Sequence, residues 1–229
     1  VLYVETTLRA SLDDCWRATQ DPAQHQRWDA RFTRIDYLPF NGGQQVFEYA
    51  TGVLPGLTIR GTGTTAGERV RPDGTRISVL RFASDHPLSL IRSGSGWWRY
   101  VPTADGLRFL TGYDYAPGWG RLGPSADRVF RPLMGWATAW SFDRLRIWLD
   151  HGVPPERTLL IALAEVAVRL LAVVLAALVG GFLPMLVAAA AGLLIPPSPV
   201  TPAARRCLRR PLDRRAATAP AALATLETP

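Results

Sequence analysis

An α+β domain followed by a membrane segment is the architecture that this 229-residue sequence predicts. Three observations carry it. Residues 1 to 115 hold short runs of strand-forming residues cut by Gly, Pro, Asn and Asp, the mark of an antiparallel meander. Residues 123–151 then carry apolar side chains at helical spacing. Residues 159–195 form a 37-residue apolar run with only two charges, Glu165 and Arg169. That is longer than the roughly 20 helical residues needed to cross a hydrocarbon core of about 30 Å.

Residues 1–9, VLYVETTLR, read as the first strand. Ser11 with Asp14 three residues on is a carboxylate variant of the capping box and starts a short helix through Cys15 and Trp16. Asp21-Pro22 sets an N-cap before a proline at the first helical position of a second helix, ending near Trp28. Strands are expected over 32–38, 45–49, 57–64, 76–82, 97–101 and 107–115. Their separators are Asn41-Gly42-Gly43, Pro55-Gly56, Pro72-Asp73-Gly74, Asp85-His86-Pro87 and Ala104-Asp105-Gly106. Ser93-Gly94-Ser95-Gly96 reads as a flexible turn. Gly123-Pro124-Ser125 predicts the start of a long helix with Ser125 as N-cap, kinked at Pro132 or starting later. Val129, Leu133, Trp136 and Trp140 would be its sheet-facing stripe, and it should stop near His151-Gly152. The domain organisation is therefore a folded unit over 1–152, a linker over 153–157, a membrane segment over 158–195 and a tail over 196–229. The tail's Ala, Thr and Pro composition, without aromatics, predicts disorder.

The charge is uneven. Residues 1–157 hold 19 Arg and 16 acids, whereas the tail holds six Arg (205, 206, 209, 210, 214 and 215) and two acids. The Arg residues of the domain are scattered rather than striped, so nucleic acid is not an expected partner. The tail cluster beside the apolar run suits anionic lipid and places the tail in the cytoplasm. The opening VLYVETTLRAS has no apolar core behind a basic start, so no signal peptide is expected in it. Cys15 and Cys207 lie on opposite sides of the apolar run, and unpaired thiols fit a reducing compartment. Domain and tail on one side require the run to turn, and Gly180-Gly181-Phe182-Leu183-Pro184 offers the break. Only about a dozen residues follow it, so the second arm of the hairpin is short or re-entrant; a single kinked span is the alternative. Glu165 and Arg169, at i and i+4, read as a structural pair near the interface.

The order strand, two short helices, six strands and long helix resembles the helix-grip fold of the START/SRPBCC superfamily (Bet v 1-like and polyketide cyclase/dehydrase-like proteins). The residues that carry the resemblance are Trp16, the run Asp21-Pro22-Ala23-Gln24-His25-Gln26-Arg27-Trp28-Asp29, the strand Thr111-Gly112-Tyr113-Asp114-Tyr115 and the helix after Gly123. It covers roughly residues 1–150. It implies a curved antiparallel sheet around the long C-terminal helix, with a hydrophobic cavity between them.

All eight Trp and all six Tyr lie within residues 1–150. Given such a cavity, the candidates to line it are Trp28, Tyr49, Trp98, Tyr100, Tyr113, Tyr115, Leu133, Trp136 and Trp140. Phe109, Thr111, Tyr113 and Tyr115 share one face of the last strand. An aromatic pocket with a few polar tips suits a hydrophobic small molecule or lipid. No metal or cofactor is expected: His25, His86 and His151 show no paired-ligand spacing, and Gly61-Thr62-Gly63 fails the phosphate-loop pattern. No catalytic residue stands out, and an acid–base pair drawn from Asp114, Glu48, Arg60 or Arg81 would require these to point inward. The expected function is a membrane-anchored module that holds a hydrophobic ligand. The alternatives are a polyketide cyclase/dehydratase-like enzyme on a membrane-partitioned substrate, and a structural or interaction domain with a packed core.

Overall fold

The computed structural model describes residues 1–40, 44–227 and 229. The first part of the chain runs β1 (Leu2–Leu8), α1 (Leu12–Gln20), α2 (Pro22–Trp28), β2 (Arg34–Tyr37), β3 (Gln45–Leu54), β4 (Leu57–Val70), β5 (Arg76–Ala83), β6 (Ile91–Thr103) and β7 (Gly106–Pro117). The helices α3 (Gly123–His151), α4 (Pro155–Gly180), α5 (Phe182–Leu194) and α6 (Arg214–Ala217) follow. The strands form one antiparallel sheet in the order β1-β7-β6-β5-β4-β3-β2. Two of the three predicted N-caps are present: the Ser11 side chain accepts from the Asp14 N–H and Asp21 from the Ala23 N–H. The predicted turn Asn41-Gly42-Gly43 lies outside the described residues.

Two local readings are corrected. Ser93–Gly96 is not a turn but part of β6. Gly94 admits a ring from the neighbouring strand: a Cβ there would come within 2.4 Å of the Phe82 ring. Glycine inside a strand marks close approach as well as chain reversal. The long helix begins at Gly123 with no side-chain cap, and Ser125 lies inside it, as does Pro132. Contacts on both sides carry the helix through the proline, with Arg131 bonded to Asp127 and Asp114, and Thr138 to Tyr113.

The helix stops where expected. Gly152 takes a left-handed conformation at φ 67° and returns its N–H to the Trp148 carbonyl. A side chain there is strained, so Gly152→Ala is expected to cost about 1 kcal/mol, read as a lowered melting temperature.

One face of the sheet packs on α3. Phe109 stacks on Phe142 with centroids 4.6 Å apart, and Val4, Leu8, Trp28, Trp98, Tyr100 and Leu145 complete this core. The opposite face is also apolar, presenting Tyr3, Ile77, Val79, Trp97 and Leu110. A sheet that is apolar on both faces needs cover on both.

That cover is the tail, and the expectation of disorder is corrected. Asp143, fully buried, accepts from Arg146 Nε at 2.6 Å, from Arg206 Nη1 at 2.8 Å and from the Ala203 N–H at 2.7 Å. Cys207 lies under Ala139, and Leu208 exchanges two backbone hydrogen bonds with Glu5, both 2.9 Å. The open edge of β1 is thereby occupied. Further on, Ala216 packs on Tyr3 and Leu110, and Leu226 on Ile77, Val79 and Trp97. Small apolar residues suffice because the sheet supplies the large ones.

The apolar run is two helices. α4 begins at Pro155, inside the expected linker, and breaks from α5 at Gly181, which adopts φ 79°. The two helices pack antiparallel on each other, and their apolar side chains face outward, with Leu178 78% and Leu193 81% exposed. At the hairpin's base Arg169 bonds the carbonyls of Gly192, Ile195 and Pro196 and pairs with Glu165. Glu165 in turn accepts from the Ser198 N–H and the Thr201 hydroxyl. The described chain has one helix long and apolar enough to cross a membrane, Pro155–Gly180.

Candidate functional site

The site candidate is built at the end of α2 and the start of β2. Asp29 follows the last helical residue, Trp28, and its side chain is fully buried. It holds Arg31 in a two-pronged pair, Nε to Oδ1 at 2.8 Å and Nη2 to Oδ2 at 2.6 Å. His25, one turn earlier, places Nε2 3.1 Å from Asp29 Oδ2. Burial opposes the Asp29 charge, but the Arg31 charge and hydrogen bonds outweigh it and hold the carboxyl well below the usual range. Burial likewise opposes the Arg31 charge, and Asp29 outweighs it, so the guanidinium stays cationic.

Rings surround this pair. His25 stacks on Trp28 and meets Phe32 and Trp98 edge-on. The Arg31 guanidinium lies over Phe32 at 5.5 Å and over Tyr113 at 5.6 Å. Phe32 continues to Tyr49 at 5.6 Å and Tyr49 to Phe47 at 6.4 Å. Phe32, Phe47, Tyr49 and Phe82 are all half-buried. The ring of Phe47 lies flat on Gly63, where a Cβ would come within 2.2 Å of it. Burial pushes the Tyr49 hydroxyl up to about 12, so it stays a neutral donor. Asp29 takes two donors of the Arg31 fork, and a guanidinium has five. The arrangement presents a fixed cation beside a half-buried aromatic wall, with the Tyr49 hydroxyl donating to the Ala83 carbonyl at 3.3 Å and the Tyr113 hydroxyl held by Thr138.

The predicted site residues divide into four groups. Tyr113 flanks Arg31, its hydroxyl 2.8 Å from Thr138, and Tyr49 lies beyond Phe32. Trp28 and Trp98 stand behind His25 as packed core, Trp28 donating to the Ala18 carbonyl at 2.8 Å. Tyr100 is deeper, its hydroxyl held by Thr19 at 2.7 Å and Gln20 at 2.9 Å, and Tyr115 lies at the start of α3, bonded to Asp127 at 2.6 Å. Leu133 and Trp136 are not beside them, and Trp140 packs half-buried against the core cluster. Leu133 and Trp136 are exposed, and Trp136 and Trp140 border the tail. The stripe of α3 that faces the sheet is instead Gly135, Thr138, Ala139, Phe142 and Leu145, where small residues allow close approach.

Asp114 and Arg81 lie on the tail-covered face, as do Glu48 and Arg60 by the alternation of their strands. Asp114 pairs with Arg131 and the Val1 amino group, and Arg81 donates to the Leu223 carbonyl. None of the four faces the aromatic wall. Arg31 and Asp29, which do, went unselected in the sequence. Their signal was a charged pair two residues apart immediately after an aromatic helix end. Among the described residues no group of three or more His, Cys, Asp or Glu side chains could hold a metal ion. Cys15 and Cys207 are both buried and unpaired.

No family model matches the chain. The Uncharacterized membrane protein YndG of Bacillus subtilis (strain 168) is 48% identical over 159 residues, 68% of this chain. This chain spans 59% of the length of that relative. Among solved structures, the di-domain ARO/CYC StfQ from the steffimycin biosynthetic pathway superposes with a TM-score of 0.50 at 15% identity, over 66% of this chain and 51% of that one. A STAR-related lipid transfer protein from Xanthomonas axonopodis gives 0.49 at 21% identity, over 63% and 82%. The chain is thus an α+β protein whose seven-stranded antiparallel sheet and long helix make a helix grip.

Proposed function

We propose that the protein is a membrane-anchored binding module for a hydrophobic small molecule or lipid. The ligand's polar end is read by Arg31 and Tyr113, and its apolar body lies along Phe32, Tyr49 and Phe47. The observation that carries this reading is the buried Asp29–Arg31 pair set beneath half-buried rings. A neutral pair with donors to spare binds a carbonyl, hydroxyl or carboxylate oxygen without demanding a full counter-charge. Both Asp29 oxygens are engaged and the residue has no exposure, so it is ill-placed as a general base. The geometry therefore favours binding over cyclase-type chemistry.

The anchor is the α4–α5 hairpin. Its outward apolar surface is suited to lipid, and the tail's contacts with the domain keep both ends of the hairpin on one side. The apolar arms beyond the Arg169 layer are each about 11 residues long, or about 16 Å at 1.5 Å per residue. That is shorter than a hydrocarbon core of about 30 Å, which fits entry from one leaflet without crossing. The six tail Arg and the two unpaired thiols favour the cytoplasmic face.

Binding is tested by titrating the full-length chain with an environment-sensitive fatty acid probe and following energy transfer from Trp28 and Trp98. Saturation at one probe per chain is expected, reduced at least tenfold in affinity in Asp29→Asn/Arg31→Met, since losing a charged hydrogen bond costs about 1.5–3 kcal/mol. Equal affinity in both proteins would assign the probe to the hairpin instead.

A further inference from the structure

The outer face of α3 carries an apolar stripe that the ligand site does not use. Val129, Leu133, Trp136 and Trp140 recur at helical spacing, with Val129 66%, Leu133 56% and Trp136 52% exposed. The rings of Trp136 and Trp140 stack with centroids 6.1 Å apart. The tail runs beside them and closes an open, mostly apolar groove of about 920 Å³. Its far wall carries Pro197, Arg205, Arg209, Arg210 and Leu212. The three arginines are exposed. The carboxylates nearby are committed elsewhere, Asp143 to Arg146 and Arg206 and Asp127 to Arg131. Among the described residues, none of Arg205, Arg209 and Arg210 forms an ion pair.

The groove adjoins the hairpin. Pro197 lies three residues beyond the end of α5. The strand of tail between them is tied to the hairpin at Glu165 through Ser198 and Thr201, and to α3 at Asp143 through Ala203. The exposed Trp136, stacked on the half-buried Trp140, and the three arginines are therefore fixed close to the base of the apolar hairpin.

We infer that this face of α3 and the tail rests on the surface of an anionic phospholipid bilayer. The inference rests on the reading that the hairpin enters a membrane, and adds that the domain is itself docked. Tryptophan suits the headgroup level because its ring is apolar and its N–H polar. Arginine gives phosphate two parallel hydrogen bonds. A protein partner closing on the same groove would have to desolvate three cations, whereas a bilayer surface leaves them hydrated and neutralised. Docking holds the Arg31 site near the membrane in a fixed attitude, which is how a ligand could pass between bilayer and pocket.

The test uses the full-length chain in phosphatidylcholine vesicles with and without phosphatidylglycerol. Leu133→Cys on α3 and Val187→Cys in the hairpin each carry a fluorophore, the two native thiols being buried. Lipid-borne nitroxide is expected to quench the label at 187 in both vesicles and the label at 133 when phosphatidylglycerol is present. Arg205→Gln/Arg209→Gln/Arg210→Gln should leave 187 quenched and weaken docking at 133 on the order of a hundredfold, at about fivefold per arginine near an anionic surface. A label at 133 that stays open to an aqueous quencher while 187 is in lipid overturns the docking. Shielding of 133 from both quenchers also overturns it, in favour of a second copy of the chain. If 187 itself stays aqueous, the membrane reading fails first.

Discussion

Asp29→Ala is expected to destabilise the folded domain by about 3–5 kcal/mol, the scale for removing one partner of a buried ion pair. Arg31 would be left cationic among Phe32, Tyr113 and His25 with no counter-charge. Asp29→Asn/Arg31→Met should recover most of the loss, because replacing both charges removes the desolvation penalty along with the attraction. Thermal or urea unfolding in detergent measures both. The pH dependence follows from the same pair. The folded carboxyl is held below its unfolded value of about 3.9. Its contribution is therefore fully present above that pH and declines as pH falls below it, because the unfolded chain takes up the proton first. Above pH 5 the melting temperature should not respond to this group; below pH 4 it should fall, and in the double variant it should fall less.

Asp143→Ala is expected to release the tail from α3, again at about 3–5 kcal/mol, since two arginines and one backbone N–H lose their shared acceptor. The consequence reaches beyond Asp143. With residues 201–208 loosened, the edge of β1 loses its partner and the face bearing Tyr3, Trp97 and Leu110 loses cover. Limited proteolysis should then cut between Thr201 and Arg215 at a rate raised by two orders of magnitude or more, as an about 3 kcal/mol increase in opening implies. Free Cys207 offers a second readout: burial first, then the charge of Asp143, pushes its thiol up to about 12. Release should make it reactive toward a maleimide at neutral pH.

The strand and helix order was legible in the sequence because each element carries its own local signal. Ser11 and Asp21 cap as their types require, and Gly152 ends α3 by the one backbone conformation it tolerates best. The fold's long-range features were harder to read. The tail's order depends on what it touches, and Ala216 or Leu226 says nothing alone about a sheet face waiting to be covered. The sign of that face was present: β5 and β6 read Ile77-Ser78-Val79-Leu80 and Trp97-Trp98-Arg99-Tyr100-Val101, apolar on both sides rather than alternating. α3 was misread for a related reason. Leu133 and Trp136 face outward, and the face packed on the sheet presents Gly135, Thr138 and Ala139 ahead of Phe142 and Leu145. A large apolar side chain at helical spacing signals burial, whereas close packing of a helix on a sheet selects small residues. Of the candidate site, Tyr49 and Tyr113 carry a signal in the sequence because aromatics suit a cavity. Arg31 and Asp29 do not, because a buried charged pair two residues apart looks in sequence like any solvated one.

Native mass spectrometry of the whole 229-residue chain, released from detergent after delipidation, tests the proposed binding most directly. The account predicts one hydrophobic molecule per chain, retained by the wild type and absent from Asp29→Asn/Arg31→Met, which keeps the hairpin and tail intact. A wild-type chain that carries no adduct, or the same adduct on both proteins, would contradict it.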